Sequence, residues 1–392
     1  MADLLSEHPN FSWAQRLSAL EAVFLDVSDL QQGWSSRAAL RVALEKVSAS
    51  LARDLKTLQE EGDFLFPARR QENFQLLTVE NVDTLRRWGA SGVCPSLVAL
   101  CAYACDNFEI TRPDLVYPLL TAAVLGEVEN NQTYHSNMHY RKVLMQIMRL
   151  CSVHNDIYEG TIRAFDEGQR ALLLIAACVH DLGHDGNGNM IKGVFFKSRM
   201  ERLSFEFSRP FLERAGLADA GELEKLAVML LCTDVTPLNS PMNPVNQMKS
   251  AYRFHFLGDD RKVDSLNLEK DLRVLQKDKK LTMMSLILHE ADVATSAGLG
   301  YEMTQYETAL YRKEVCDDEA RPHHIVDFLN NICQRSMLSE AAQKLYAANL
   351  ARTLILAEEA VKNGDEPFPA PEHSDFILGI TKKNPGQSKA IN

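Results

Sequence analysis

The chain has 392 residues, enough to bury a sizeable core as two or three domains or as one large helical one. Its 42 Lys+Arg against 53 Asp+Glu give a net charge of -11. That balance argues against a broad phosphate-backbone surface, and so against nucleic acid, while a small anionic substrate can still be held by metals.

The N-terminal stretch "MADLLSEHPN" has no basic segment followed by an apolar one, and the longest apolar runs, "LVALCAYAC" and "ALLLIAACV", are too short to span a bilayer. No membrane association and a cytoplasmic location are expected. The eight cysteines form no CxxC pair and several lie in apolar runs, so they read as reduced packing thiols.

In chain order, residues 12–60 read as two or three amphipathic helices ended by "EGDFLFPARR", a separate helical subdomain or an oligomerisation arm that can make a homodimer. Beyond them apolar residues recur at spacings of three and four almost everywhere, with no sustained period-2 alternation, which predicts an all-α fold. Pro237, Pro241 and Pro244 crowd the Asn-rich stretch "TPLNSPMNPVNQM", which reads as a loop. From Asn363 onward turn-forming composition predicts an extended or disordered tail. The division expected is 1–70 regulatory or oligomerising, 71–362 catalytic, and 363–392 tail.

Three segments carry the chemistry. "YHSNMHYRKVLMQIMRL" places His135 and His139 one turn apart, in a chain of 11 histidines, as if on one face of a helix. "LLLIAACVHDLGHDGNGN" ends an apolar helix in His180 and Asp181, with His184 beyond Gly183; burying these groups costs several kcal/mol unless a divalent cation compensates. "LTMMSLILHEADVATSAG" delivers His289 and Asp292 at i, i+3 in the same way. The set His139, His180, Asp181 and Asp292 has the mixed imidazole and carboxylate character of a metal site. Imidazole suits zinc, and carboxylate with water suits magnesium or manganese, with Asp181 as the candidate bridge. Two cations about 3.5 to 4 Å apart ionise water and clamp a phosphoryl group. Phosphoester hydrolysis is then the natural chemistry, and His135 is placed to protonate the leaving alkoxide.

The ordered motifs resemble the HD superfamily of metal-dependent phosphohydrolases and, more narrowly, the class I cyclic-nucleotide phosphodiesterases. "YHSNMH" is similar to YHNxxH, with Ser136 where Asn is usual. "HDLGHDGNGN" is similar to HDxxHxGxxN through His180, Asp181, His184, Gly186 and Asn189, "LLCTDVTPL" to LATDMxxH through Thr233 and Asp234, and "HEAD" to HxAD. The resemblance spans roughly residues 90–360. It implies a compact all-helical catalytic domain, preceded here by additional N-terminal helices, and hydrolysis of 3′,5′-cyclic AMP or GMP. It also implies two divalent ions, Zn2+ at the first site and Mg2+ or Mn2+ at the second. By position, His139, His180, Asp181 and Asp292 ligate the first metal and His135 protonates O3′. His184, Glu206 and Asp234 lie around the second metal or behind the ligands, and Glu314 is the carboxylate partner of His135. The nucleotide falls to Tyr134, Asn189, Gln334 and Met337, the last standing where the family stacks a Phe on the base.

Two other readings use the same residues. A hydrolase of another nucleotide shares the ligand set but normally adds a basic cluster for extra phosphates, which is absent near these motifs. A catalytically silent cyclic-nucleotide sensor would have lost His135 or a ligand, and none is lost.

Overall fold

Small polar residues start most of the helices. Ser12, Ser36, Ser96, Asp166, Asp219, Asn243, Asp278 and Ser339 each accept a backbone N–H of the following turn through the side chain. The computed structural model describes residues 11–27, 35–69, 73–258, 267–316 and 318–368. Within them lie α1 (Trp13–Ala19), α2 (Glu21–Val27), α3 (Arg37–Glu61), α4 (Phe74–Ser91), α5 (Leu97–Phe108), α6 (Pro113–Gly126), α7 (Asn137–Ile157) and α8 (Glu167–Val179). There follow α9 (Arg199–Ala215), α10 (Ala220–Leu231), α11 (Pro244–Phe256), α12 (Lys279–Ala297), α13 (Tyr301–Val315), α14 (Pro322–Asn331) and α15 (Glu340–Lys362). The only sheet among the described residues is a two-residue hairpin, Met190–Ile191 with Val194–Phe195. The protein is all-α, and none of the described helices is long and apolar enough to cross a membrane.

At the centre stands α12, buried on nearly every face and packed against α7, α10, α11, α13 and α15. A helix with no polar face has to be surrounded, and its neighbours form that shell. A buried polar network ties the early chain to the late one. The Arg149 guanidinium of α7 donates to Phe64 O (3.0 Å) and to the Thr78 hydroxyl of α4 (3.3 Å). The Thr78 hydroxyl in turn donates to Leu345 O (3.3 Å), and the Tyr346 hydroxyl donates to Gln146 (2.9 Å).

The N-terminal helices share this core. Leu17, Leu20, Phe24, Leu40, Val47, Leu51 and Leu58 belong to one continuous apolar cluster that runs on to Ala357. Phe24 meets Phe211 of α9 (ring centroids 5.8 Å), and Asp54 of α3 accepts the Ser96 N–H that opens α5 (3.0 Å).

The Asn- and Pro-rich stretch is a loop only up to Asn243. Its last part, "PVNQM", opens α11, because Asn243 caps Asn246 N (2.7 Å) and Pro244 occupies the first helical position, where its missing N–H costs nothing. Phe368 pairs with Ala320 through a backbone bridge; residues 369–392, most of the expected tail, lie outside the described residues.

Candidate metal centre

Three helices converge at their ends or along a buried face. His139 lies in the first turn of α7, His180 is the C-cap of α8 with Asp181 next to it, and Asp292 lies on α12. His180 Nε2 is 3.3 Å from His139 Nε2. Asp181 Oδ2 is 3.1 Å from His180 Nε2 and 3.4 Å from His139 Nε2, and Asp292 Oδ1 is 3.2 Å from His139 Nε2. Both imidazoles are 1% exposed. Ala177 O lies 2.9 Å from His180 Nδ1, so that nitrogen donates its hydrogen and the Nε2 lone pair faces the cluster. His139 Nδ1 has no hydrogen-bond partner among the described residues.

His139, His180 and Asp292 bring two imidazole nitrogens and a carboxylate oxygen close enough together to fit a divalent cation, and Asp181 Oδ2 lies against both imidazoles. The electrostatics of the cluster point the same way. Burial disfavours charge on His180, yet Asp181 overrides it and raises the imidazole to about 9. Burial likewise opposes charge on His139, and Asp181 and Asp292 raise it nonetheless. Burial would raise Asp181, but His180 and His139 hold it well below the usual carboxylate range. The cluster thus holds positive charge with whatever is present, protons or a metal.

His135 is not on the helix with His139. Ser136 occupies the N-cap position of α7 with extended backbone, so His135 sits in the turn before it, its ring centroid 5.9 Å from that of His139. Asn130 pins this turn by donating to His135 O (2.7 Å), and Asn137 donates to Gly126 O (2.7 Å) and Val128 O (2.8 Å). Glu314 of α13 completes the clamp: Oε1 lies 2.5 Å from His135 Nδ1, while Oε2 accepts from Tyr134 N (2.5 Å) and His135 N (3.1 Å). Burial would raise Glu314, and its bond to His135 lowers it instead. The His184 ring stacks on His135 at 3.6 Å, and burial together with His135 lowers His184 to about 4. His135, His184 and Glu314 form a second group of potential ligands beside the first. Tyr134 packs its ring against His139 (4.9 Å) and Tyr311 (5.6 Å). A cleft of about 350 Å³ opens on the His184 side, with Asn130 and Asp185 in its wall.

Other expected residues are engaged elsewhere. Asp234 is buried and accepts from Asn189 (3.1 Å), Thr236 N (2.7 Å), Thr236 Oγ1 (2.5 Å) and Ser198 Oγ (2.7 Å). Asn189 also donates to Thr236 Oγ1 (3.1 Å) and accepts from Met200 N (3.0 Å). Its amide is therefore used up in joining the hairpin loop to α9 and to the Asp234 turn, and is not free for a substrate. Glu206 is exposed on the outer face of α9. The carboxylate on the inner face is Glu201, whose Oε2 is buried without a partner among the described residues; burial, with Asp234 nearby, raises it well above the usual range. The buried stripe of Ser204 and Ser208 marks that face in the sequence at helical spacing. His289 lies outside both groups, buried with neither ring nitrogen bonded among the described residues, and burial and Lys249 push it well below its ordinary value.

Gln334 donates to Asn246 Oδ1 (2.9 Å) and accepts from Arg253 (2.8 Å), so both ends of its amide are held by α11. Met337 is 3% exposed within the apolar core and offers no face to a ligand. The expected wall for a base is not built from it.

No family model matches the sequence, and no curated protein matches it. Among solved structures, the chain is similar to the phosphodiesterase domain of Salpingoeca rosetta rhodopsin phosphodiesterase, at 18% identity over 68% of this chain and 88% of that one, with a TM-score of 0.47. It is also similar to LmjPDEB1 in complex with IBMX, at 15% identity over 76% of this chain and 91% of that one, with a TM-score of 0.48.

Proposed function

We propose that the protein is a cytoplasmic hydrolase of 3′,5′-cyclic nucleotides, cyclic AMP or cyclic GMP, yielding the nucleoside 5′-monophosphate. The observation that carries this reading is the cluster of His139, His180 and Asp292, with Asp181 against both imidazoles and the His135–Glu314 pair beside it. Those four residues would hold the first of two divalent cations, Zn2+, with Asp181 shared with a second, Mg2+ or Mn2+. When bound, such cations supply Lewis acidity and lower the pKa of water.

The chain's own residues do the rest. Glu314 accepts the His135 Nδ1 hydrogen, which leaves Nε2 as the nitrogen that gives a proton to the departing O3′. The backbone bonds from Tyr134 and His135 to the same carboxylate hold that geometry without a further cost in ordering when substrate arrives. The stacked His184, kept neutral, supports the His135 ring without competing for its proton. Tyr134 covers the His139 edge and restricts water there.

A second reading, hydrolysis of a different small phosphoester, is favoured by one observation: Gln334 and Met337 are committed to α11 and to the core instead of to an open base site. One experiment tests both. Purified protein is incubated with cyclic AMP, cyclic GMP and a panel of nucleoside mono- and triphosphates, with Mg2+ or Mn2+, and products are separated by chromatography. Formation of 5′-monophosphates from a cyclic nucleotide supports the first reading, turnover of another substrate alone supports the second, and no turnover with metal-loaded protein removes both.

A further inference from the structure

Beneath the site lies a charge pair that the chemistry above does not use. Lys142 of α7 and Glu307 of α13 are both buried and ion-paired, and the second oxygen of Glu307 has no partner among the described residues. A buried pair of this kind is poor evidence for stability, because the desolvation of both ions offsets their attraction. Its position is more informative. Lys142 lies seven residues after His135, and Glu307 lies seven residues before Glu314. The two contacts therefore tie α13, in antiparallel order, to the turn of His135 and to the start of α7; along α13 they stand about two helical turns, or roughly 10 Å, apart. One contact is the ion pair in the core. The other is the His135–Glu314 bond at the site. Lys142 is also one turn from His139 on α7, so the same tie runs under a candidate ligand.

We propose that Lys142 and Glu307 are positioning residues, whose buried ion pair sets the register that puts Glu314 opposite His135. Sliding α13 by even part of a residue repeat would separate Oε1 from Nδ1, whereas apolar groups at positions 142 and 307 would fill the same space without fixing the register. The inference rests on the hydrolase reading only for its kinetic consequence, since the contact it explains exists with or without a substrate.

The test uses the full chain, metal-loaded, with two double variants. Lys142→Met/Glu307→Leu removes the pair and leaves no unpaired charge, and Lys142→Glu/Glu307→Lys reverses it. Each is examined by thermal melting, by steady-state kinetics and by NMR of histidine-15N-labelled protein. The NMR reads the low-field proton between His135 Nδ1 and Glu314, assigned by its loss in Glu314→Gln. The apolar double variant should melt cooperatively, lose or shift that proton upfield, and show kcat roughly 10- to 100-fold lower with little change in KM, the usual cost of a misplaced group. The reversed pair should restore both signals. A folded apolar double variant with the proton unmoved overturns the proposal, as does absence of the proton from the wild type. If that variant does not fold, Glu307→Gln is judged by the same proton. Should the wild type turn over no phosphoester, the hydrolase reading falls and the NMR result still decides the register.

Discussion

His135 and Glu314 are joined twice, by the 2.5 Å contact between Nδ1 and Oε1 and by the His135 N–H on the other carboxylate oxygen, which also accepts the N–H of Tyr134. The imidazole is oriented and its loop is held by one side chain. If His135 is the acid, as proposed, its orientation and the position of its loop both depend on Glu314.

His135→Asn should lower kcat by roughly 10² to 10⁴-fold on a substrate whose leaving group needs a proton, with metal content unchanged. With a p-nitrophenyl phosphodiester, whose leaving group needs none, most of the deficit should disappear. Equal losses on the two substrates would place His135 among the ligands. Glu314→Gln should lower kcat on the first substrate only.

Asp292→Ala should strip the transition metal, because Asp292 Oδ1 reaches the His139 nitrogen on which the cluster converges. Elemental analysis after gel filtration reads this directly, and wild-type protein treated with chelator should regain metal where the variant does not. Retention of stoichiometric metal by the variant would remove Asp292 from the ligand set.

Stability should fall in mild acid for a reason remote from the site. His154 is buried, stacked on Phe165 at 4.1 Å, and donates from Nε2 to Arg163 O (2.9 Å). Burial lowers it to about 4 from its ordinary 6.5. Its neutral form is thus favoured by folding, so its contribution is complete above pH 6.5 and is lost as the pH falls toward 4. The full shift corresponds to about 3 kcal/mol. Melting curves of the wild type and His154→Gln between pH 8 and 4 check it: the variant should lose the acid-side slope while being less stable at pH 8.

Removing the N-terminal helices should unfold the protein and not merely deregulate it. A chain beginning near residue 70 would expose the surfaces of α5, α6 and α9 on which α2 and α3 pack. The single change Phe24→Ala should cost about 3 to 5 kcal/mol, since Phe24 is 4% exposed and packs against Phe211. A soluble, cooperatively melting truncation would refute this.

The helical character of the fold and the candidate cluster of His139, His180 and Asp292, with Asp181 beside it, were legible because each depends on local pattern. Period-3.6 apolar spacing marks the helices, and charged groups at the ends of apolar runs mark His180, Asp181 and Asp292. The position of His135 was not legible: Ser136 stands at the N-cap of α7 without a side-chain cap bond and mostly polar residues follow it, so no local pattern separates His135 from the helix. Glu206 was named from a family position, whereas the buried phase of α9 points to Glu201. Asn189 and Gln334 could not be read in advance. What engages them is contact with Asp234 and Arg253, 45 and 81 residues distant along the chain, and no local pattern encodes such partners.

The buried network that joins Thr78 to Leu345 and Gln146 to Tyr346 sets when the protein can finish folding during synthesis. The elements bearing His139, His180 and Asp292 leave the ribosome well before α15, yet α4, α7 and α12 all pack against that last helix. Until α15 emerges, the nascent chain carries an unsealed apolar surface around the candidate site. A ribosome stalled before residue 340 should therefore present a chaperone substrate, whereas one stalled far enough beyond residue 362 to clear the exit tunnel should present a closed, protease-resistant protein.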